Sequence, residues 1–533
     1  MSSKTSSFTI IRRVIGAYVF MCVLGCWPNA AFSSTTPSTA TSCDSLKTLK
    51  LPYTTISIAE QVAAGVFHAP PQIGEGPMRD ADAFAQMPSF CRLAGDIRPT
   101  ADSEIRFEVW MPLESWNGRY QGVGNSGLAG TISYGSMAQA LTQGYATAST
   151  DTGHLAEASQ GQGIASWAVG HPEKVIDFGY RSVHETTIKA KAVIAAFYGS
   201  GPRYSYWNGC SEGGRQGMGE AQRYPSDFDG ILAGSPVFNF VHSKTRGTWS
   251  DQSTSKNPAS YIPAAKYKLI SIAVMAQCDA EDGVKDGVIN NPPSCHPDLS
   301  LLLCKGGDAA DCLTAPQIEE MKTEYSDLVD PATGVGIFPG HSPGFEMMRS
   351  AHPATSPADM KQANPGSFFK YFVYENPEWD WTTFNLKTDL PVADKKLAAI
   401  LADYDPNLKA FKAHGGKLIQ YHGWSDAQPS PLSSVEYFNR VQATMGDTRD
   451  FYRLFMVPGM GHCGSGLGTD KFDKIGAITD WVERGKAPDE IIASHMTNGK
   501  VDRSRPLCPH PQIAKYKGSG STDAAANFVC VAP

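Results

Sequence analysis

The sequence predicts an α/β fold: a parallel β-sheet covered by helices on both faces and interrupted by a long insertion. Three observations predict it. From about Ile105 to Phe197, apolar strand-like runs alternate with segments of helical spacing, the pattern of strands joined by crossover helices. Between roughly Pro236 and Leu408 the alternation fades, and proline, cysteine and aromatic residues become frequent. The strand and helix texture then resumes. At 533 residues the chain exceeds one simple core, which fits a core carrying an insertion of about 170 residues.

Taken in order, "RFEVWMPL", "RYQGVG" and "YATASTDTG" read as strands. "VHETTIKAKAVIAAFYG" has helical spacing and good helix formers, and it stops at Gly199. "YSYWNG" reads as a buried strand, followed by the helix "GGRQGMGEAQRYP", closed by Pro225. After the insertion, "KLIQYHG" and "FYRLFMVPG" are strands and "IGAITDWVERG" is a helix. The expected organisation is a leader over 1–33, core over 34–235, insertion over 236–408 and core again over 409–533.

The leader is an address. Lys4, Arg12 and Arg13 precede an apolar stretch from Val14 to Cys26 and then small residues, the layout of a secretory signal peptide. "VLGC" also resembles a bacterial lipoprotein box, which would put a lipid anchor on Cys26. Cleavage near Ser33 is preferred because "LGCW" is an imperfect box. No later segment is long and apolar enough to span a bilayer. A secreted or periplasmic protein is expected, with outer-membrane lipid anchoring as the alternative. The net charge of −7, with signs interspersed, argues against nucleic acid as a partner. Of twelve cysteines, ten follow the leader, an even number that reads as disulfides in an exported chain.

Chemistry concentrates at three places. Gly209-Cys-Ser211-Glu-Gly213 satisfies G-x-S-x-G, in which glycines permit a strained turn that lifts a serine hydroxyl above the sheet. "GHSPG", around Ser342, matches the same pattern. Ser211 lies between a strand and a helix, whereas Ser342 lies in a proline-broken loop. The residue after the nucleophile must also donate its N–H to an oxyanion, which Glu212 can do and Pro343 cannot. Asp426 follows the strand "KLIQYHG", and His462 follows "FYRLFMV". Serine, aspartate and histidine in that chain order, each beyond a strand end, specify an α/β-hydrolase core with a catalytic triad. Taken singly, Asp426 is an ordinary turn former and His462 an ordinary loop residue. Cys210 adjoins Ser211 and Cys463 adjoins His462. A Cys210–Cys463 bridge would therefore hold nucleophile and base within reach of each other.

These motifs, with "GRYQGVGNSGLAG", "LAGSPV", "HGWSDAQPSP" and "PGMGHC", resemble the tannase and feruloyl esterase family, whose mark is this Cys-Ser…Asp…His-Cys arrangement. That family also includes a hydrolase of mono(2-hydroxyethyl) terephthalate. The resemblance implies an exported serine esterase acting on aromatic carboxylic esters of hydroxycinnamate or gallate type, or else a terephthalate half-ester hydrolase. It implies the triad Ser211, Asp426 and His462, and an insertion that forms a lid over the acyl pocket. The remaining pairs it implies are Cys43–Cys91, Cys278–Cys295, Cys304–Cys312 and Cys508–Cys530. The oxyanion donors are expected to be the N–H groups of Glu212 and, from the loop "GNSGLAG", Gly127, with Ser126 as the alternative. The family pattern there is Asn-Gly-Gly and this chain has Asn-Ser-Gly.

Within the insertion, "CDAEDGVKDGV" sets out Asp279, Asp282 and Asp286 with Gly283 and Gly287 between them. Three carboxylates on tight turns suit Ca²⁺, although a solvated acidic turn has the same composition and the spacing is not that of an EF-hand. The resemblance implies a structural lid calcium there, with the carbonyls of Val284 and Val288 as further ligands and no organic cofactor. The aromatic stretch 371–384 nominates Trp379, Trp381 and Phe384 for stacking on an aromatic acyl group, although lid core is an equally ordinary use. Of the insertion's arginines, Arg246 and Arg349, neither lies in that stretch, so neutral phenolic esters are expected to be better substrates than the terephthalate half-ester. His154, His184 and His422 read as structural, and Arg215 as a packing or ion-pair residue. The competing class is a non-catalytic, calcium-stabilised binding protein on a hydrolase scaffold.

Overall fold

The computed structural model describes residues 41–70, 81–156, 165–351, 356–359 and 365–533. The predicted leader and Cys26 lie outside the described residues. Nine strands form the central sheet: β1 (Thr54–Val62), β2 (Phe90–Ile97), β3 (Ile105–Pro112), β4 (Arg119–Val123), β5 (Ala146–Thr150), β6 (Tyr204–Cys210), β7 (Gly230–Gly234), β8 (Lys417–Gly423) and β9 (Tyr452–Val457). Their order is β1-β2-β3-β5-β4-β6-β7-β8-β9. From β5 to β9 every neighbouring pair is parallel. The first strands are antiparallel, a departure from the wholly parallel sheet expected. The connections explain it: β2 and β3 are joined by a short turn, which permits only antiparallel pairing, whereas parallel neighbours need a crossover.

The middle strands are largely buried, β5 and β7 at every residue. That is what helices on both faces require of a parallel sheet. One side packs Leu93, Val109, Trp207 and Leu454 against the helix Ser182–Tyr198, which ends at Gly199 with φ 78°. The other side packs Tyr206, Ile419 and Phe455 against the helix Lys474–Arg484.

Residues 235–416 leave the sheet between β7 and β8 and pack around two further cores, one aromatic around Phe240, Phe369 and Phe372 and shared with Trp167 and Phe178, the other around Tyr267, Ile270 and Phe345. Among the described residues five disulfides join Cys43–Cys91, Cys210–Cys463, Cys278–Cys295, Cys304–Cys312 and Cys508–Cys530. No helix among the described residues is long and apolar enough to cross a membrane.

Candidate active site

Strand β6 delivers Ser211 to the carboxyl edge of the sheet, and the helix Glu212–Arg223 starts at the next residue. Ser211 has φ 64° and ψ −121°, a conformation L residues rarely adopt. Its N–H donates to the Gly234 carbonyl at 2.9 Å, which fixes the turn to the end of β7. Close approach demands the flanking glycines. A Cβ on Gly209 would stand 2.3 Å from the Gly213 carbonyl oxygen, and one on Gly213 would stand 2.9 Å from the Gly124 Cα. Ser342 has none of this: it is buried in the loop before the helix Glu346–Ala351, with ordinary φ.

Asp426 and His462 emerge from the loops after β8 and β9. His462 Nδ1 lies 2.7 Å from Asp426 Oδ2, and the same oxygen lies 3.1 Å from His422 Nε2. Asp426 Oδ1 accepts the Gln428 N–H at 2.8 Å, and His422 Nδ1 meets Ser434 Oγ at 2.7 Å. Burial alone would raise the Asp426 carboxyl, but the hydrogen bonds from His422 and His462 overcome it and hold it well below the carboxylate range. Burial likewise disfavours a charged His462, yet the bond to Asp426 and its charge win and raise the imidazole. The Cys210–Cys463 bridge, with Cα atoms 5.9 Å apart, ties the residue before Ser211 to the residue after His462.

Ser211, Glu212 and Gly127 border one cavity of about 450 Å³ beneath the insertion. The loop that carries Gly127 is pinned to the elbow helix. Asn125 accepts the Gly213 N–H through its carbonyl at 2.9 Å, and Gln216 bonds the Asn125 N–H at 3.1 Å and its Oδ1 at 3.0 Å. His154 Nε2 meets the Leu128 carbonyl at 2.8 Å, with its ring stacked on Trp167. Burial depresses His154 to about 3, so it is neutral and Nε2 carries the donated proton. Sequence reasoning marked His154 and His422 only as structural. Nothing local shows that one supports the Gly127 loop and the other Asp426, because both contacts are set by the fold.

Phe240, Phe338, Phe368 and Phe372 give the cavity its aromatic wall. Trp379, Trp381 and Phe384 do not border it, which corrects the sequence expectation. Phe384 is buried beside Phe369, Trp379 stacks on Tyr374 with ring centres 5.2 Å apart, and Trp381 packs against Gly366. The arginine expectation is corrected too. Arg246 and Arg349 both border the cavity, with Lys244. The helix Ala315–Tyr325 brings them there: Arg246 donates to the carbonyls of Thr323, Glu324 and Ser326, and Arg349 lies 3.8 Å from the Glu324 carboxylate.

A sequence model of the family "Tannase and feruloyl esterase" matches residues 91–531. The chain belongs to that family. An uncharacterized esterase of Xanthomonas campestris is 38% identical over 93% of this chain and 92% of its own length. The mono(2-hydroxyethyl) terephthalate hydrolase of Piscinibacter sakaiensis is 34% identical over 84% of this chain and 86% of its own. The crystal structure of feruloyl esterase B from Aspergillus oryzae superposes with a TM-score of 0.81 at 30% identity, covering 92% of this chain and 99% of that one. The chain is therefore a carboxylic ester hydrolase on the α/β-hydrolase fold.

Two other groups of residues in this tannase-family esterase complete the site's surroundings. Arg215, fully buried beneath the elbow, pairs with Glu212 and with Asp403 at 2.5 Å, so the side chain of Glu212, a residue that borders the cavity, is an ion-pair partner. In the insertion, Asp279 Oδ1 accepts the N–H groups of Asp286, Gly287 and Val288 at 2.9–3.2 Å. Burial and then the nearby Asp286 and Asp279 charges raise the Asp282 carboxyl. Asp282, Asp286, Val288, Arg503 and Arg505 line a cavity of about 30 Å³. Asp286 is shared with Arg505 at 2.5 Å and Arg503 at 3.4 Å, so protein cations already balance part of this charge.

Proposed function

We propose that this protein is an exported serine esterase that cleaves aromatic carboxylic esters through an acyl-enzyme, with Ser211, His462 and Asp426 as its triad. The observation that carries this reading is the 2.7 Å His462–Asp426 contact, on a loop bridged by Cys463 to the Cys210-Ser211 elbow. With Nδ1–H held by Asp426, Nε2 of His462 is the free base. It takes the Ser211 proton as Oγ attacks the ester carbonyl carbon. The N–H groups of Glu212 and Gly127 receive the oxyanion. As the intermediate collapses, the carbon–oxygen bond to the alcohol breaks and His462 protonates the departing oxygen. Water activated by His462 then releases the acid and regenerates Ser211.

The four-phenylalanine wall supports an aromatic acyl group. The name feruloyl esterase B, carried by a structural relative, supports a hydroxycinnamate as that acyl group. A second reading, a terephthalate half-ester, is favoured by Lys244, Arg246 and Arg349 at the cavity, which could meet a second carboxylate. Export is supported by the leader and by the five disulfides. Ca²⁺ is proposed as a structural ion of the insertion, held by Asp279, Asp282 and Asp286 and by the carbonyls of Val284 and Val288, supplying charge neutralisation and no catalytic step.

Labelling by a fluorophosphonate and a panel of ferulate, coumarate, gallate and terephthalate esters test the reading. Label on Ser211 and turnover of at least one aromatic ester are expected. An unlabelled Ser211 with no turnover of any ester would favour the binding-protein alternative. A specificity constant for the half-ester well above the phenolic esters would select the second reading.

A further inference from the structure

We propose that His184, Glu220 and Asp227 form a binding site for a zinc-like divalent cation; the assignment stands apart from the esterase reading and from the acidic loop of the insertion. The three residues come from three different elements of the core. His184 lies in the first turn of the helix Ser182–Tyr198, and Glu220 lies in the last turn of the elbow helix Glu212–Arg223. Asp227 lies in the turn that leads to β7. One ligand-type atom from each residue lies within 4.8 Å of those of the other two. Glu220 stands nine residues beyond Ser211, about 13 Å of helix, so the cluster takes no part in the ester chemistry.

Glu220 marks the cluster as a site. It is 2% exposed, and its Oε2 has no hydrogen-bond partner among the described residues. The group beside it is the Asp227 carboxylate, itself an acceptor, so neither carboxylate satisfies the other. A buried carboxylate without a donor is costly, and a cation held between the two removes that cost. Lys191 reaches this corner but directs its ammonium to the Asp227 backbone carbonyl. The ligand set selects the ion. His184 Nδ1 stands 2.6 Å from Asp227 Oδ2, and the Tyr224 ring, stacked on the imidazole with centres 3.8 Å apart, holds its plane. One imidazole nitrogen with two carboxylates suits zinc, whereas calcium takes oxygen ligands. Tetrahedral zinc bonds of about 2.1 Å set ligand atoms about 3.4 Å apart, so the His184–Asp227 contact opens and the wider separations close by side-chain movement. The His184 side chain is 24% exposed, which leaves room for water as the fourth ligand.

The test titrates Zn²⁺ alone into the purified, chelator-washed protein, with Ca²⁺ held in excess to occupy all-oxygen sites. About one zinc per chain is expected, with a Kd on the order of micromolar, since three protein ligands and a water make a looser site than four protein ligands. The melting temperature should rise by a few degrees once free zinc stands about a hundredfold above Kd. Glu220→Gln keeps the shape of the side chain and removes a ligand, and it should weaken zinc binding by about a hundredfold or more. His184→Gln should do the same, and at a partly exposed position it tests the site even where the buried substitution disturbs folding. Asp282→Asn, in the acidic loop, should leave the zinc titration unchanged. Co²⁺ offered in place of zinc gives a second readout: visible absorption of a four-coordinate ion is expected in the wild type and not in His184→Gln. Zinc binding that persists in His184→Gln, that disappears in Asp282→Asn, or that excess Ca²⁺ abolishes would overturn the assignment. So would a wild-type protein that binds no zinc up to about 100 µM.

Discussion

At Ser211 a left-sided backbone turn and two glycines with no room for a side chain raise one hydroxyl to the carboxyl edge of the sheet. Ser342 shares the pattern G-x-S-x-G but is buried with ordinary φ. Ser211→Ala should therefore reduce kcat by several orders of magnitude, on the order of 10⁴ or more, while Ser342→Ala stays near wild type. Equal losses from the two, measured on one phenolic ester, would overturn the elbow assignment. The histidine sets the pH dependence. His462 is raised above its ordinary 6.5, and the base must be neutral, so kcat/KM should fall as pH drops through a value above 6.5. The sign for stability runs the other way. A raised His462 stabilises the fold most below about 6.5 and loses that contribution as pH climbs through its folded value. Asp426, being depressed, stabilises above about 3.9 and loses that only in strong acid. Between pH 6 and 8, activity should thus rise while the His462 contribution to thermal stability shrinks. A pH-rate profile flat across that range would remove His462 from the role of base.

At the scale of elements, the bridge joins the end of β6 to the loop after β9, two strands that are not neighbours in the sheet. Its use is positional, because a drift of about 1 Å between nucleophile and base can cost on the order of a hundredfold in rate. Cys210→Ser/Cys463→Ser, assayed well below its melting temperature, should lose about tenfold or more in kcat/KM while remaining folded by circular dichroism. Unchanged kinetics in the folded variant would make the bridge a stability device alone. The adjacency that suggests this bridge was legible in the chain, as were the strands on either side of it, because β6 and β9 are short, mostly buried runs ending at loops. Strand β1 was not legible: its nine residues mix half-buried and exposed positions, so no face stands out in composition. The aromatic stretch misled for a related reason. Density of rings along the chain does not separate a cavity wall from a core, and only Phe372 of that stretch reaches the cavity. Arg246 and Arg349 lie about a hundred residues apart, and the carbonyls and carboxylate of a third segment place them together.

For the whole molecule, the acidic loop is where the insertion meets the C-terminal hairpin Ile491–Thr497/Lys500–Leu507. Arg503 donates to the Asp286 carbonyl at 2.9 Å and Arg505 pairs with its carboxylate, so residues more than two hundred positions apart share one junction. Asp282 feels the charges of Asp279 and Asp286 there, while Arg503 and Arg505 pair with Asp286 and Arg505 also favours an ionised Asp282. A divalent cation would neutralise the remainder and lock insertion to hairpin, which makes it a fastener and not a participant in the chemistry around Ser211. Chelation should accordingly lower the melting temperature by several degrees, an ion at a hundred times its Kd being worth about 2.7 kcal/mol. Added Ca²⁺ should restore it, and elemental analysis should find about one ion per chain. Below the lowered transition, kcat for a phenolic ester should change less than about twofold, because no step passes through the ion. Asp282→Asn should reproduce the stability loss and abolish its response to chelator. A melting temperature indifferent to chelator, with no metal by elemental analysis, would leave the loop as an arginine-balanced acidic turn.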